Sequence, residues 1–423
     1  MRPTTSWPRC RCSCPCSTCS LRCCICWGSS VATKGDLPVS VGIVGGGQLA
    51  HFLCGAARRL GVTSVVLDPK ADCPAARSAD RVVAGALDDL AAAAELADAC
   101  DVITFDVETV SPEVLRYLGG RAEDGCVRVA PGAQVMLMLQ NKALQKQWLV
   151  RQGIATPAFV QLAGGPADHQ ALVERFGLPL VQKSATGGFD GRGVQIIGDE
   201  SALVRLWETP SIVEAFVADA QEIAVLVARG LDGALAFYGP IGLDMDPEDN
   251  VLTTAVAPAP VSDQVSREAR RLAAEVVTGL DTIGLFAVEM FVTPEGRVLV
   301  NEVSPRVHNA GHYTLEACET SQFMQHMRAV LGLPLGPSRQ RVPAAVMRNL
   351  LLRPGLESLC EVGGFDSMDP RTGTAVHWYG KSGGSPGRKM GHVTALGSDP
   401  QAAARRADAA VRAVSTIGLE AFA

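Results

Sequence analysis

The stretch Gly187-Gly-Phe-Asp-Gly-Arg-Gly193 decides how this sequence is interpreted, because its four glycines lie between two apolar runs. The run before it, Leu178-Pro-Leu-Val-Gln182, leads into Lys183, and the run after it is Val194-Gln-Ile-Ile197. This layout predicts a β-hairpin whose glycine-rich tip turns its backbone N–H groups toward phosphates. A Walker loop would instead end in Gly-Lys-Ser/Thr and open a helix. Glycine pairs are also common in ordinary hairpins, so the assignment depends on partner residues.

Acidic residues follow inside segments that are otherwise apolar and typical of strands. Glu214 and Glu222 lie in two successive segments, and Glu289 and Glu302 lie in two later ones. An ionised carboxylate is costly to bury unless a positive group meets it. Two strands that offer one acid each suit Mg²⁺ shared with nucleotide phosphates, which favours Glu289 and Glu302 as metal ligands. The alternative is that both acids lie on exposed faces of their strands.

Length and composition indicate a multi-domain protein without a membrane span. The chain has 423 residues, of which 47% are hydrophobic, and no uninterrupted apolar run approaches the roughly 20 residues that a bilayer requires. The net charge is −6, and no basic stretch of the kind that binds nucleic acid stands out. We therefore expect neither a membrane nor a nucleic-acid partner.

The first 37 residues differ from the rest of the chain. Eight of the 14 cysteines lie between Cys10 and Cys26, but no histidine or second spaced cluster supports a defined zinc site. We expect residues 1–37 to be disordered or not natively translated, with the true start near Val31, and a transit peptide is the alternative. The other cysteines are scattered, which is typical of a reduced, cytoplasmic protein.

A second glycine turn opens the part of the chain that we expect to fold. The segment Pro38-Val-Ser-Val-Gly-Ile-Val-Gly-Gly-Gly-Gln-Leu-Ala50 predicts a strand, a turn and a helix, and Asp68 follows about twenty residues later. This spacing satisfies the dinucleotide-binding fingerprint, so a nicotinamide or flavin oxidoreductase is an alternative. The same turn binds any phosphate at a helix N-terminus, and the fingerprint explains none of Lys183, Glu289 or Glu302.

Together these features resemble the ATP-grasp superfamily and, within it, the N5-carboxyaminoimidazole ribonucleotide synthetase family. The resemblance extends from about residue 40 to about residue 400. It rests on the loop above with Lys183 and on four further motifs: Gly45-Gly-Gly-Gln-Leu49, Asn301-Glu-Val-Ser-Pro-Arg-Val-His-Asn-Ala-Gly-His312, Thr320-Ser-Gln-Phe323, and the tail Tyr379-Gly-Lys381 with Gly387-Arg-Lys-Met-Gly-His392.

The resemblance implies a mixed α/β and α+β architecture with the ATP-grasp fold. We expect an N-terminal open parallel α/β domain at residues 38–135 and a lid subdomain at 136–215. A central sheet domain would follow at 216–335, and a small β-rich C-terminal piece at 336–423.

The resemblance also implies an ATP-dependent, carboxylating carbon–nitrogen ligase. Family members phosphorylate bicarbonate with ATP, and carboxyphosphate or the CO2 it releases carboxylates the amine of 5-aminoimidazole ribonucleotide. We therefore expect ATP, Mg²⁺ (or Mn²⁺), bicarbonate, a homodimer, and a separate mutase that receives the product. One alternative is formate-dependent glycinamide ribonucleotide transformylase, which shares Glu302-Val-Ser-Pro-Arg306. A non-catalytic nucleotide-binding protein is another.

Site residues are carried over from the resemblance position by position. The implied ATP-binding residues are Lys142, Lys183, Gly188, Phe189, Asp190, Gly191, Arg192, Gly193, Glu214, Ala215, Phe216, Val217, Glu222, Asn301 and Glu302. Within that set, residues 214–217 would form the hinge that reads adenine through its backbone, and Glu222 would accept the ribose hydroxyls. The implied metal ligands are Glu289 and Glu302.

Two further groups of residues would bind the other substrates. The implied catalytic residues at the bicarbonate end are Arg306, His308 and Asn309. Arginine suits bidentate clamping of a planar anion, and histidine can hydrogen-bond carboxyphosphate or move a proton. The implied site for the ribonucleotide phosphate comprises Gly46, Gly47, Gln48, Lys381 and Arg388. A solvated basic loop is the alternative for the last two.

Overall fold

The computed structural model describes residues 39–188, 193–246, 250–353 and 361–417. Two sequence predictions fall outside these ranges: the disordered N-terminal segment, and the ATP-binding role of Phe189, Asp190, Gly191 and Arg192. Within the described ranges, no helix combines the length and the apolar character that crossing a bilayer would require.

The N-terminal part is an open, five-stranded parallel sheet with the strand order β3-β2-β1-β4-β5. Its elements are β1 (Ser40–Val44), α1 (Gln48–Arg59), β2 (Thr63–Asp68), β3 (Arg81–Ala84), α2 (Leu90–Ala99), β4 (Val102–Phe105), α3 (Pro112–Glu123), β5 (Arg128–Val129) and α4 (Ala133–Leu139). Strands β1 and β4 are fully buried, as expected where helices cover both faces of a parallel sheet. The glycine turn follows β1 and lies at the carboxyl edge of this sheet.

The lid is a four-stranded antiparallel sheet with the order β6-β9-β7-β8. Its elements are α5 (Lys142–Arg151), β6 (Phe159–Leu162), α6 (His169–Phe176), β7 (Leu180–Ser184), β8 (Val194–Ile197) and β9 (Ser211–Ala215). The predicted hairpin is confirmed, because β7 pairs with β8 and Lys183 lies opposite Val194. Gly193 has a φ of +79°, and a Cβ there would lie 3.2 Å from the Cα of Gly188, so the base of the loop requires glycine.

The rest of the chain forms one nine-stranded antiparallel sheet with the order β14-β13-β10-β11-β12-β15-β18-β17-β16. Its elements are β10 (Gln221–Arg229), β11 (Leu235–Met245), β12 (Leu252–Ala257), α7 (Asp263–Leu280), β13 (Gly284–Val292), β14 (Val298–Ser304), α8 (Thr314–Ala317), α9 (Gln322–Val330), β15 (Ala344–Leu351), β16 (Phe365–Asp369), β17 (Thr374–Trp378), β18 (Lys389–Gly397) and α10 (Pro400–Ile417). The C-terminal strands therefore extend the central sheet by pairing β15 with β12.

Three parts of the chain meet at a buried stack of imidazoles, formed by His312, His377 and His392 and called here the histidine stack. The ring centroids of His312 and His392 are 4.1 Å apart, and those of His377 and His392 are 4.5 Å apart. Phe52 of α1 places its ring edge-on against all three. The hydroxyl of Tyr379 lies 2.8 Å from Nδ1 of His392. The stack thus joins α1, the loop after β14 and the C-terminal strands.

Two carboxylates hold one member of the histidine stack in its charged form. Nδ1 of His377 lies 2.7 Å from Oδ1 of Asp366, and Nε2 lies 2.8 Å from Oε1 of Glu316. Burial opposes the charge, but these two hydrogen bonds outweigh it and raise the pKa of His377 to about 9. In contrast, burial holds the pKa values of His312 and His392 well below the ordinary value, so both rings are neutral.

We expect the raised pKa of His377 to make the stability of the fold fall at alkaline pH. A group whose pKa rises on folding stabilises fully below its unfolded pKa, ordinarily 6.5, and this stabilisation is lost as the pH rises through the folded value of about 9. The difference corresponds to about 3 kcal/mol. The melting temperature should therefore fall between pH 7 and pH 10 more steeply in the parent than in His377→Gln.

His326 supplies the matched control for this measurement. It is also a fully buried histidine, but burial lowers its pKa to about 3, so it is neutral throughout the tested range. His326→Gln should keep the parent's dependence on pH, whatever its absolute stability. Parallel profiles for the parent and His377→Gln would contradict the assignment of a charged His377.

Candidate active site

The predicted metal acids face each other on neighbouring strands. Glu289 of β13 and Glu302 of β14 are directly opposite in the antiparallel register, and Glu289 also pairs with Ala224 of β10. Since opposite residues and alternate residues share a face of a sheet, Glu222 lies on this face as well. Burial first, and the negative charge of Glu289 next, raise the pKa of Glu222 to about 7. The sheet thus gathers three acids on one face.

Basic side chains from other elements meet these acids. Nζ of Lys142 bonds to Oε2 of Glu302, and this charge holds the pKa of Glu302 well below its usual range. Nε2 of His308 lies 3.0 Å from Oε1 of Glu289. Nζ of Lys183 donates to Oδ1 of Asn301 at 2.7 Å. The structure therefore brings residues predicted for ATP, metal and bicarbonate into one cluster.

A buried ion triad lies next to this cluster, and sequence reasoning missed one of its members. Oε1 of Glu214 is 2.7 Å from Nζ of Lys146, and Oε2 is 2.7 Å from Nζ of Lys183. Glu214 was predicted for its backbone alone, and Lys146 was not predicted. The available signal was spacing, because Lys146 follows Lys142 by one turn of α5 and so lies on the same helix face.

The remaining ATP residues border this cluster. β9 ends at Ala215, Phe216 and Val217 follow it, and Phe216 is 38% exposed. The N–H of Ala215 already donates to the carbonyl oxygen of Ala158 at 2.9 Å. Gly188 and Gly193 form the base of the glycine-rich loop. Their roles in binding ATP stay predictions.

The loop after β14 holds its three predicted catalytic residues by contacts with distant segments. Nη2 of Arg306 lies 3.1 Å from Oε2 of Glu108. The N–H of His308 donates to Oε1 of Gln322 at 2.9 Å, and Nε2 of Gln322 donates to the carbonyl oxygen of His308 at 2.7 Å. The amides of Asn309 and Asn349 bond to each other reciprocally. Both amide atoms of Asn309 are engaged in this pair. The catalytic roles of Arg306, His308 and Asn309 stay predictions.

Glu108, Gln322 and Asn349 are thus positioning residues that sequence reasoning did not assign. Gln322 stands inside the quoted motif Thr320–Phe323, which was its available signal. A Cβ at Gly311 would lie 2.4 Å from Oε1 of Gln322, which explains the glycine at that position. No local pattern marks Glu108 or Asn349 as partners of this loop.

The glycine turn after β1 has carboxylate partners of its own. The N–H of Gly46 donates to Oδ2 of Asp68 at 2.8 Å, and that of Gly47 donates to Oδ2 of Asp106 at 2.7 Å. Asp106 also accepts from the N–H of Ala50, so it caps α1. In this structure Gly46 and Gly47 are therefore not the open donor pair that the sequence predicts. A phosphate at this turn would have to displace both carboxylates or bind through Gln48 and the basic tail.

Of the two tail residues predicted to bind phosphate, Lys381 acts electrostatically on the Asp106 cap of this turn. Nζ of Lys381 lies 5.2 Å from the ring centroid of Tyr379 and donates to the carbonyl oxygen of Lys389 at 2.9 Å. Nη1 of Arg388 donates to the carbonyl oxygen of Ser382 at 3.0 Å. Burial raises the pKa of Asp106, and the charges of Arg306 and Lys381 counteract this, so Lys381 is an electrostatic neighbour of the helix cap.

Comparison with known protein families agrees with this geometry over most of the chain. Residues 39–140 match the ribonucleotide synthetase preATP-grasp domain. Residues 147–323 match the ATP-grasp domain. Residues 345–406 match the phosphoribosylaminoimidazole carboxylase C-terminal domain.

Curated proteins and solved structures agree with these matches. The N5-carboxyaminoimidazole ribonucleotide synthase of Synechococcus elongatus is 38% identical over 362 residues, which cover 84% of this chain and 88% of that protein. The crystal structure of N5-carboxyaminoimidazole synthase from Aspergillus clavatus, in complex with ADP and 5-aminoimidazole ribonucleotide, has a TM-score of 0.77 at 30% identity and covers 89% of this chain and 98% of its own. The Thermotoga maritima synthetase has a TM-score of 0.75 at 35% identity, with 88% and 98% covered. The chain therefore belongs to the N5-carboxyaminoimidazole ribonucleotide synthase family of ATP-grasp ligases.

Proposed function

We propose that this chain carboxylates 5-aminoimidazole ribonucleotide to N5-carboxyaminoimidazole ribonucleotide, with ATP and bicarbonate, in purine biosynthesis. The observation that carries the proposal is the cluster in which Lys142, Lys183, Glu289, Glu302 and the Arg306–His308 loop meet. This cluster combines positive charge for phosphates, acids for a metal ion and an anion clamp. The similar Aspergillus clavatus protein, solved with ADP and 5-aminoimidazole ribonucleotide, supports the same pair of ligands.

ATP would lie between the lid and the central sheet. Lys142 and Lys183 would meet its phosphates, since charge-assisted hydrogen bonds to phosphate are among the strong ones. The backbone of residues 214–217 would contact adenine, and Glu222 would accept hydrogen bonds from the ribose hydroxyls. The glycine-rich loop would then cover the phosphates through its N–H groups.

The acids of β13 and β14 fit Mg²⁺ or Mn²⁺. Mg²⁺ is usually bound by one or two carboxylates together with substrate phosphates, and the described residues contain no complete cage of three or more ligands. The crowding of Glu222, Glu289 and Glu302 on one face is a second argument, because like charges at this spacing repel. Glu289 and Glu302 would hold the ion, which neutralises charge as the γ-phosphoryl group moves.

The loop after β14 would bind bicarbonate and accept the proton that the substrate amine loses. An oxygen of bicarbonate attacks the γ-phosphorus of ATP, ADP leaves, and the guanidinium of Arg306 holds the resulting carboxyphosphate. The amine nitrogen of the ribonucleotide then bonds to the carboxyl carbon, and phosphate leaves. His308 would accept the proton that the amine loses, and the 3.0 Å contact of its Nε2 with Oε1 of Glu289 would orient the ring.

The ribonucleotide phosphate would be bound by Gln48, Lys381 and Arg388 at the carboxyl edge of the N-terminal sheet. Family resemblance further supports a homodimer that releases its product to a separate mutase. The described cysteines are free thiols, which supports the predicted cytoplasmic location; they are Cys54, Cys73, Cys100, Cys126 and Cys318.

An assay of ADP formation tests the proposal directly. ADP should form only when ATP, Mg²⁺, bicarbonate and 5-aminoimidazole ribonucleotide are all present, and ¹⁴C-bicarbonate should label the acid-labile product. Two parallel reactions serve as controls: formate with glycinamide ribonucleotide, and NADH or NADPH oxidation followed by absorbance. Activity in either control without the main reaction would overturn the proposal in favour of the transformylase or the oxidoreductase.

A further inference from the structure

Two lysines share one glutamate in the buried triad of Lys146, Glu214 and Lys183. The side chains are only 3%, 2% and 8% exposed, and each lysine contacts a different carboxylate oxygen at 2.7 Å. Burial raises the pKa of Glu214, but the charges of Lys183 and Lys146 outweigh this and hold it below the ordinary value, so the carboxylate is ionised. Burial lowers the pKa of Lys146 to about 8, so it remains mostly protonated at neutral pH.

The two lysines differ in what else they contact. Nζ of Lys146 donates to Oγ1 of Thr156 at 2.7 Å, and that hydroxyl donates to the carbonyl oxygen of Val300 at 2.7 Å. The second partner of Lys146 is therefore a threonine that is itself hydrogen-bonded to the backbone of β14. Nζ of Lys183 instead donates to Oδ1 of Asn301, next to the metal acid Glu302. Lys183 is the member of the triad that faces the ATP site.

The charge of the triad depends on Lys146. Two lysines and one carboxylate carry a net charge of +1, whereas Lys183 and Glu214 alone would form a neutral pair. In a buried site the two charges of such a pair attract each other strongly. Moving the lysine away from the glutamate would leave an uncompensated buried charge. A lysine held only by Glu214 would have to break that pair before it could meet a phosphate.

We propose that Lys146 is a positioning residue that neutralises Glu214 and so keeps the positive charge of Lys183 available to the ATP phosphates. The inference rests on the proposed use of ATP at Lys183. It assigns Lys146 no contact with the nucleotide. The proposal predicts that the affinity for ATP rises with the net charge of the triad and does not depend on how many ion pairs within the triad remain.

A double-mutant cycle separates charge from structure. We expect Lys146→Met, with a net charge of 0, to weaken binding of AMP-PNP·Mg²⁺ by about ten- to a hundredfold in calorimetry, the range for one charge-assisted contact. Glu214→Gln, with a net charge of +2, should bind AMP-PNP·Mg²⁺ more tightly than the parent. Lys146→Met/Glu214→Gln restores the net charge of +1 and should recover to within about fivefold. The KM for 5-aminoimidazole ribonucleotide should change little in all three variants.

The outcomes distinguish this inference from the proposed function. A double variant that binds the nucleotide more weakly than Lys146→Met, or a Lys146→Met variant with parental affinity, would overturn the inference. If Lys146→Met does not fold, Glu214→Gln still decides, because a structural role predicts weaker nucleotide binding and the charge role predicts tighter binding. Nucleotide binding by the parent without ADP formation would count against the proposed function only, since calorimetry needs no acceptor substrate.

Discussion

Replacing Glu302 with glutamine is expected to abolish turnover while leaving the fold largely intact. The change keeps the size of the side chain but removes the charge that faces Glu289 across the strand pair and bonds to Lys142. A proposed Mg²⁺ ligand is then lost, together with the stabilisation that the ion gives the moving phosphoryl group. We expect kcat to fall by roughly 10³-fold or more, equivalent to about 4 kcal/mol of transition-state stabilisation. Steady-state ADP formation measures the effect.

Glu295→Gln is the matched control on the same hairpin. Glu295 is exposed in the turn between β13 and β14, where it accepts a hydrogen bond from Thr293. Glu295→Gln should keep the parental kcat. The melting temperatures of both Glu295→Gln and Glu302→Gln should stay close to that of the parent. ATP hydrolysis by Glu302→Gln at the parental rate would refute the metal assignment.

Removing either basic residue of the tail should impair acceptor binding selectively. We expect Lys381→Ala or Arg388→Ala to raise the KM for 5-aminoimidazole ribonucleotide by roughly ten- to a hundredfold, with the KM for ATP nearly unchanged. A charge-assisted hydrogen bond to the ribonucleotide phosphate is worth about 1.5–3 kcal/mol. Neither residue lies in the lid or on β13 and β14, which carry the proposed metal ligands Glu289 and Glu302. Saturation curves with each substrate measure the two KM values separately.

Arg371→Ala tests whether the loss of any tail cation has this effect. Arg371 lies in the turn between β16 and β17, is 90% exposed, and pairs with Asp369. Arg371→Ala should leave the KM values for ATP and for 5-aminoimidazole ribonucleotide at parental levels. A selective defect in ATP binding in the Lys381 or Arg388 variants, or no kinetic change in either, would reopen the choice of acceptor.

Local sequence patterns were sufficient to predict the β7–β8 hairpin and the glycine turn after β1. Lys183 and the glycines mark the hairpin within about fifteen residues, and hydrogen bonding between neighbouring strands depends on that same local segment. The acids Glu289 and Glu302 were also apparent, because each interrupts an apolar strand. Their direct opposition depends on the register of β13 and β14, which a short turn between the two strands makes easy to form.

The pairings that the sequence did not reveal join residues that are distant in the chain. Glu108 meets Arg306 across 198 positions, and Asn309 meets Asn349 across 40. Lys146 reaches Glu214 only because α5 packs against the lid sheet. Such contacts follow from how separate elements pack, and no periodicity or motif spacing in one segment encodes them. The cap on α1 is a similar case, because Asp106 lies 59 positions from Gly47.

The pairing of β12 with β15 also limits how this protein can be recombined. Cutting the chain at the predicted boundary near residue 336 would leave β12 with a row of unpaired N–H and C=O groups, which is an aggregation-prone edge. A C-terminal segment exchanged from a relative would have to supply a strand in the same register, with its counterpart of Arg348 opposite Thr254. The tail that we propose to bind the acceptor is therefore part of a continuous sheet. We expect changes in acceptor preference to arise by substitution within its loops and not by exchange of a whole domain.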